Sequence, residues 1–323
     1  MTPGVVVIGR NEGERLRRCF DSIVGTTPSV VYVDSGSTDG SVAMARSMQV
    51  EVVELDLRLP FTAARARNAG YRRLKLLQPE LACVQFVDGD CELAAGWLEK
   101  AAALLDARPD VAMVCGRLRE RHPERSIYNL LCDIEWDAPA GRSRACGGIA
   151  MARVPPLDAS GGYREDLIAG EEPELCLRLR AQGWAIWRLA DDMALHDAAM
   201  TRFGQWWQRS IRAGYAFAEG AFLHGSGPER HRVRESCSAL VWGVALPSTA
   251  VLGLAGWGAW GLLPLAAYPL QIVRLGMSGS RPPRQRWLRA LFIVLGKFPE
   301  AMGNIKFRIH HAAGSGSRLI EYK

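Results

Sequence analysis

Three apolar runs near the start of the chain, VVVIG (Val5–Gly9), VVYVD (Val30–Asp34) and VEVVEL (Val50–Leu55), are separated by segments of helical spacing at Glu12–Val24 and Ser41–Met48. Strands joined through helices lie parallel, because each helix carries the chain back across the sheet before the next strand begins. This βαβαβ rhythm predicts a doubly wound α/β sheet whose ligands gather at the carboxyl edge of its strands. With 323 residues and 48% hydrophobic content, the chain can bury a core of that kind and is not of disordered composition.

A helix expected over Thr62–Leu76 precedes the strand CVQFV (Cys83–Val87), which sets Asp88-Gly89-Asp90 at the carboxyl edge. Two carboxylates around a glycine can be a hard-cation site, a broken calcium loop or a plain turn, since Asp-Gly is a favoured turn pair. The calcium loop is excluded, because the later oxygen ligands and the closing glutamate are missing. Further on, the pattern predicts a helix over Leu93–Ala107, a strand at Val111–Gly116, a less regular Arg117–Arg144 and a strand at Gly147–Val154. A glycine-marked turn and a helix follow within Gly161–Trp184, and a last strand, Ala185–Leu189, leads to His196.

The eight cysteines form no C-x-x-C pair and no Cys/His cluster, so they read as small buried hydrophobes in a reducing compartment. The start, MTPG, enters the first strand directly and leaves no room for a secretory leader, which predicts a cytoplasmic location. A net charge of +6 is moderate. It fits a membrane surface or a phosphate-bearing substrate, and no nucleic acid is expected as partner.

The character changes near Arg202. Arg202, Arg209, Arg212, Arg230, Arg232 and Arg234 lie among Phe203, Trp206, Trp207, Tyr215 and Phe217, and from Cys237 to Val273 there is no charged residue. Such a run makes either one tilted membrane span or a re-entrant hairpin turning around Gly256–Gly261; a buried hairpin in a soluble domain is the competing reading. Basic residues on both sides favour both ends being cytoplasmic. Trp287–Arg308 reads as an amphipathic interfacial helix interrupted by Pro299, and the tail as mobile.

Five motifs, in order, resemble family 2 glycosyltransferases of the inverting GT-A fold: VVVIGRNEGERLRRCFDSI, VDSGSTDGS, ARARNAG, VDGDCE and GGYREDLIAGEEPELCLRLRAQGW. The resemblance covers about Val5 to Gly214 and implies a Rossmann-like, mostly parallel sheet flanked by helices; the apolar run beyond it adds the expectation of a membrane-associated helical region. The expected layout is a transferase domain over 1–200, a basic aromatic segment over 201–236, an apolar hairpin over 237–275, amphipathic helices over 281–310 and a flexible tail over 311–323.

The resemblance also implies roles. Asp34 meets the base of a nucleotide-diphosphate sugar, or else caps its own turn, as Asp39 is expected to do. Arg67 and Asn68 face the nucleotide, whereas Arg65 can be merely solvated. Asp90 holds Mg²⁺ or Mn²⁺, and Asp88 sits nearer the ribose or a metal-bound water. Glu172 takes the place of the family's aspartate base, with Glu171 sharing the work; two acids at a helix start also suit the helix dipole alone. His196 is a further metal or diphosphate contact, or an ordinary satisfied histidine. Gln208, Arg209 and Arg212, in QWWQRSIRAG, can reach the diphosphate, but the family's processive Q-x-x-R-W ending is absent.

The function expected is therefore metal-dependent, inverting transfer of a sugar from a UDP- or GDP-sugar to a lipid-linked or membrane-proximal acceptor, at the cytoplasmic face of the inner membrane and in contact with its lipids. The alternatives are a degenerate membrane-bound scaffold and, with too little glycine in GRNEGERLRR to favour it, a sugar nucleotidyltransferase.

Overall fold

The computed structural model describes residues 1–314. It divides into two compact units: Met1–Glu124 with Glu135–Ala199, and Arg125–Ile134 with the chain from Met200 onward.

In the first unit the chain runs β1 (Gly4–Gly9), α1 (Glu14–Asp21), β2 (Val30–Asp34), α2 (Ser41–Ser47), β3 (Glu51–Glu54), α3 (Ala63–Leu77) and β4 (Cys83–Asp88). These four strands pair in parallel in the order β3-β2-β1-β4, as the alternation predicts. The helix–sheet contact is tight at Gly70, where an added Cβ would lie 2.4 Å from Val6 Cγ1 and 2.8 Å from Val33 Cγ2. The glycine of A-R-N-A-G thus lets α3 press against β1 and β2.

The second half departs from the expectation in several places. A short β5 (Cys91–Leu93) takes the start assigned to a helix, and α4 begins later, at Trp97–Ala107. Strand β6 runs on through Val111–Glu120, and the region expected to be irregular contains α5 (Ile127–Trp136) and β7 (Gly141–Ser143). Next come β8 (Ala150–Arg153), α6 (Val154–Ala159), α7 (Glu171–Ala181) and β9 (Ala185–His196). The full order is β3-β2-β1-β4-β8-β6-β9-β5, with β7 on β9. Strand β8 is antiparallel to both β4 and β6, so the sheet is mixed. β9 runs on to His196 because it pairs with β6 as far as Glu120 and with β5 at Cys91. The core is continuous from Val5 to Ala194, and its buried Gln85 is satisfied by Trp97 Nε1 at 2.9 Å.

The second unit holds α8 (Phe203–His224), α9 (Val233–Leu240), α10 (Leu246–Trp257), α11 (Ala267–Gly276), α12 (Pro283–Leu295) and α13 (Lys297–Ala312). α8 and α13 meet backbone to backbone: a Cβ on Gly214 would lie 2.0 Å from Glu300 O, and one on Gly303 would lie 2.0 Å from Ile211 O. Tyr215 packs edge-on against Phe307, and the buried Asn304 donates to Ser236 Oγ at 2.6 Å. One face of α13 is therefore packed against protein. The break expected at Pro299 falls instead at Gly296, because Pro299 lies in the first turn of α13, where its missing N–H costs nothing.

A π-helical turn, Val241–Ala245, joins α9 to α10 just before Pro247, which has no N–H to give the Gly243 carbonyl. At Gly258 (φ 57°) the chain reverses into a 3₁₀ stretch, Gly258–Ala266, that returns along α10. An added Cβ on Gly261 would lie 1.9 Å from the Gly253 carbonyl carbon, so the two legs touch at their backbones. The apolar run thus folds as a hairpin with its turn inside the expected Gly256–Gly261. Seven of the eight cysteines are buried and Cys237 is exposed. The mobile tail expected over 311–323 falls almost wholly outside the described residues.

Candidate active site

The loops that follow β1 and β2 are laced together. Asp39 Oδ2 accepts the Gly13 N–H at 2.9 Å while Oδ1 accepts from Ser41 N at 3.1 Å and Ser41 Oγ at 2.6 Å, so one carboxylate starts two helices. Asn11 Oδ1 accepts from Thr38 N at 2.7 Å, and the Asn11 N–H donates to Ser37 Oγ at 2.9 Å. Asp34 is buried at the end of β2: Oδ2 accepts from Gly36 N and Ser37 N, each at 2.8 Å, and Oδ1 from the Tyr32 hydroxyl at 2.8 Å. Of the two roles open to it in the sequence, the turn cap is the one the geometry fills.

On α3, neighbouring residues look different ways. Arg67 is 2% exposed; Nη2 donates to Asp88 Oδ1 at 2.8 Å and Nη1 to Glu171 Oε1 at 2.6 Å. Burial alone would loosen its proton, but the Asp88 and Glu171 charges outweigh that and hold the guanidinium firmly charged. Asn68 turns away from this cluster. Its Nδ2 donates to Tyr163 O at 2.7 Å and to Glu165 Oε1 at 3.0 Å, and its Oδ1 accepts from Tyr163 N at 3.0 Å. A side chain used at both ends in this way pins the Gly162–Glu165 turn. Arg65 donates to the carbonyls of Asp56 and Leu59 and is not simply solvated.

Asp88 ends β4 and Asp90 opens the bend into β5. Asp90 is buried, with Oδ2 3.3 Å from His196 Nε2 and Oδ1 accepting from Cys91 Sγ at 3.4 Å. One ligand atom each from Asp90, Cys91 and His196 lies within 4.8 Å of the others. Behind the imidazole, Glu120 Oε2 is 3.9 Å from Nδ1, and the Trp136 ring meets it edge-on at 4.7 Å between centroids. His196 thus lies between Asp90 on one side and Glu120 on the other. Glu120 and Trp136 escaped the sequence reading because both fall in Arg117–Arg144, and only continued alternation in CGRLRE hinted that β6 ran on.

The acids at the start of α7 divide. Glu171 turns to Arg67. Glu172 turns inward, 3% exposed, where Oε1 accepts from Cys146 N at 2.5 Å and from Cys176 Sγ at 2.9 Å. Burial pushes its carboxyl above the ordinary glutamate range; the Cys176 thiol and the Cys146 and Gly147 N–H groups resist that rise, and the Glu171 charge adds to it. Burial also pushes the Cys176 thiol up to about 12. Beside Cys146, Gly148 packs on the cluster so closely that a Cβ there would lie 2.8 Å from Asp88 Oδ2 and 3.0 Å from Arg67 Nη2. Neither the thiols nor this glycine stood out in the sequence, where Gly148 read as part of a strand. Gln208, Arg209 and Arg212 lie on α8 in the second unit.

Residues 4–140, less than half of the chain, match the profile of Glycosyl transferase family 2. The stretch contains the whole D-x-D bend and A-R-N-A-G helix just described. This chain carries a family 2 glycosyltransferase domain. A relative in Haloferax volcanii, glycosyltransferase AglE, is 22% identical over 223 residues, covering 65% of this chain and 71% of its own. Among solved structures, the mannosyltransferase PcManGT from Pyrobaculum calidifontis, in complex with GDP-Man and Mn²⁺, superposes with a TM-score of 0.61 at 20% identity over 94% of this chain and 88% of that one. S. aureus TarS superposes with a TM-score of 0.51 at 17% identity, over 94% of this chain and 55% of that one. At these identities the likeness is one of fold, and the fold is GT-A. The enzyme class rests on the family 2 profile over residues 4–140, which makes this a chain of the glycosyltransferase class.

Proposed function

We propose that this glycosyltransferase moves a sugar, with inversion, from a nucleotide-diphosphate donor to a hydroxyl or phosphate oxygen of a membrane-proximal acceptor, on the cytoplasmic face of a membrane. The observation that carries the reading is the Arg67 bridge. It fixes the D-x-D residue Asp88 and the α7 residue Glu171 to one guanidinium, at 2.8 and 2.6 Å, so donor-side and acceptor-side acids belong to one site.

The residues present fit a hard divalent cation. Asp90 presents a carboxylate oxygen and His196 a ring nitrogen 3.3 Å apart, with Glu120 behind the ring to orient it. Asp90 and His196 would hold Mg²⁺ or Mn²⁺, with Asp88 towards the ribose, and the bound ion would neutralise the departing diphosphate. The Mn²⁺ and GDP-Man of PcManGT support a metal and a nucleotide-sugar donor.

Glu172 is the better base of the α7 pair. Glu171 is committed to the Arg67 guanidinium at 2.6 Å. Glu172 has a raised affinity for a proton, and its Oε2 makes no hydrogen bond. It takes the proton from the acceptor as that oxygen attacks the anomeric carbon on the face away from the diphosphate. Arg67 and Glu171 then act as the frame that keeps Asp88 in place.

The test is transfer and donor hydrolysis with GDP- and UDP-sugars in Mn²⁺ or Mg²⁺, for the parent, Asp90→Ala, Glu172→Gln and Glu171→Gln. Asp90→Ala should lose metal-dependent turnover and metal-dependent thermal stabilisation by nucleotide. Glu172→Gln should lose transfer, on the order of a hundredfold or more, while keeping nucleotide binding. An Asp90→Ala enzyme as metal-dependent as the parent would refute the metal assignment, and transfer lost only in Glu171→Gln would move the base to its neighbour.

A further inference from the structure

The stretch Val233–Gly276 is long and apolar enough to cross a membrane, and only 17% of its most apolar window is buried within the protein. It is also doubled on itself, and that limits its reach.

The root of the hairpin is fixed by contacts inside the second unit. Trp242 O accepts from the Tyr268 hydroxyl at 2.5 Å, and Tyr268 stacks on Phe298 at 5.6 Å. A Cβ on Gly243 would lie 2.4 Å from Lys297 O, so the hairpin touches α13 at this level. The half-buried ion pair Lys297–Glu300, 2.6 Å, stands at the same height. A charged, packed root of this kind belongs to the aqueous or headgroup zone.

Only the part beyond the root is free to enter lipid. The outward leg, Val244–Trp257, reaches about 20 Å at ~1.5 Å per residue. The returning leg begins with the 9-residue 3₁₀ stretch Gly258–Ala266, worth about 18 Å at ~2 Å per residue. Both fall short of the ~30 Å hydrocarbon layer and exceed the ~15 Å of one leaflet by about a headgroup's depth. The tip is apolar and bare: Trp257 and Trp260 are each 76% exposed, and Val251, Leu252, Leu254, Leu262 and Leu263 are exposed beside them. No charge occurs from Cys237 to Val273. Charge appears at the open end, where Arg274, Arg284 and Arg289 are exposed and complement anionic headgroups.

We propose that the Val244–Ala266 hairpin enters a single leaflet of an anionic bilayer and stops within it, so that the enzyme is monotopic and both legs start from the same face. The inference deepens the membrane part of the proposed function and is independent of its chemistry.

The full chain is tested by flotation with phosphatidylcholine vesicles containing phosphatidylglycerol, and by an impermeant maleimide applied outside or trapped inside vesicles carrying an Ala259→Cys tip, with Cys237→Ser as background. The parent should float, and Trp257→Ser/Trp260→Ser should reduce the bound fraction about tenfold, its tip being too exposed for the change to unfold the protein. Arg284→Gln/Arg289→Gln should weaken binding to anionic vesicles and leave binding to phosphatidylcholine alone unchanged. The tip thiol should be protected from both sides. Labelling from the lumen would show a span and overturn the single-leaflet placement while leaving membrane association standing. Failure of the parent to float, including protection of the tip by a second copy of the chain, would overturn both.

Discussion

Replacing Arg67 by methionine removes the cation from between two carboxylates. The guanidinium is 2% exposed, and its side chain reaches Asp88 at 2.8 Å and Glu171 at 2.6 Å. Removing one member of a buried ion pair costs about 3–5 kcal/mol, most of it the cost of the charge left behind. Asp88 is 33% exposed and recovers some hydration, whereas Glu171 at 12% recovers little, so the lower end is expected, about 3 kcal/mol. For a body of 150–250 residues, a kilocalorie moves the melting temperature by roughly 2–4 °C, which predicts a fall of about 6–12 °C. Arg67→Lys should fall part of the way, since an ammonium meets one carboxylate and not both. The assay is thermal unfolding of the lipid- or detergent-bound protein without nucleotide, followed by near-UV circular dichroism. A shift under about 2 °C for Arg67→Met would refute the claim that this guanidinium holds the D-x-D bend to α7.

Two further outcomes follow from the same geometry. As the proposed base, Glu172 must be ionised, so transfer is expected to fall as pH drops through its pKa; Cys176→Ala removes a donor that favours the ionised form and should move the acid limb of kcat/KM to higher pH. Cys176→Ser should move it back, and an unmoved limb in Cys176→Ala would show that the thiol only fills space. Gly70→Ala forces a methyl to within 2.4 Å of Val6 Cγ1 and should cost about 1–3 kcal/mol, read as a lower midpoint in urea unfolding.

The strands that set the edge of the site were legible because their apolar runs are short and sharply bounded; β2 occupies Val30–Asp34 as expected. Elements whose boundaries depend on partners were not. Strand β9 carries Asp191 and Asp192 through to His196, a polar stretch that local preference reads as loop and that pairing with β6 makes strand. The D-x-D bend and the two glutamates could be found from motif order, but not which way each side chain turns. Arg67 and Asn68 are neighbours in a helix and so point about 100° apart, which is why one joins the acid cluster and the other pins a turn. The thiols behind Glu172 were out of reach for another reason: Cys146 and Cys176 lie far apart in the chain and meet only through the packing of α7.

The shared carboxylate of Asp39 makes the first two loops a single inheritable part. Because it starts the helices after β1 and β2 at once, with Asn11 stitching the same gap, a chimera that imports residues 10–14 from a relative would leave a foreign loop facing a native cap. Importing 10–14 together with 35–41 keeps each donor with its acceptor. Recombination within this fold is thus constrained in pairs of segments that the sequence holds more than twenty residues apart.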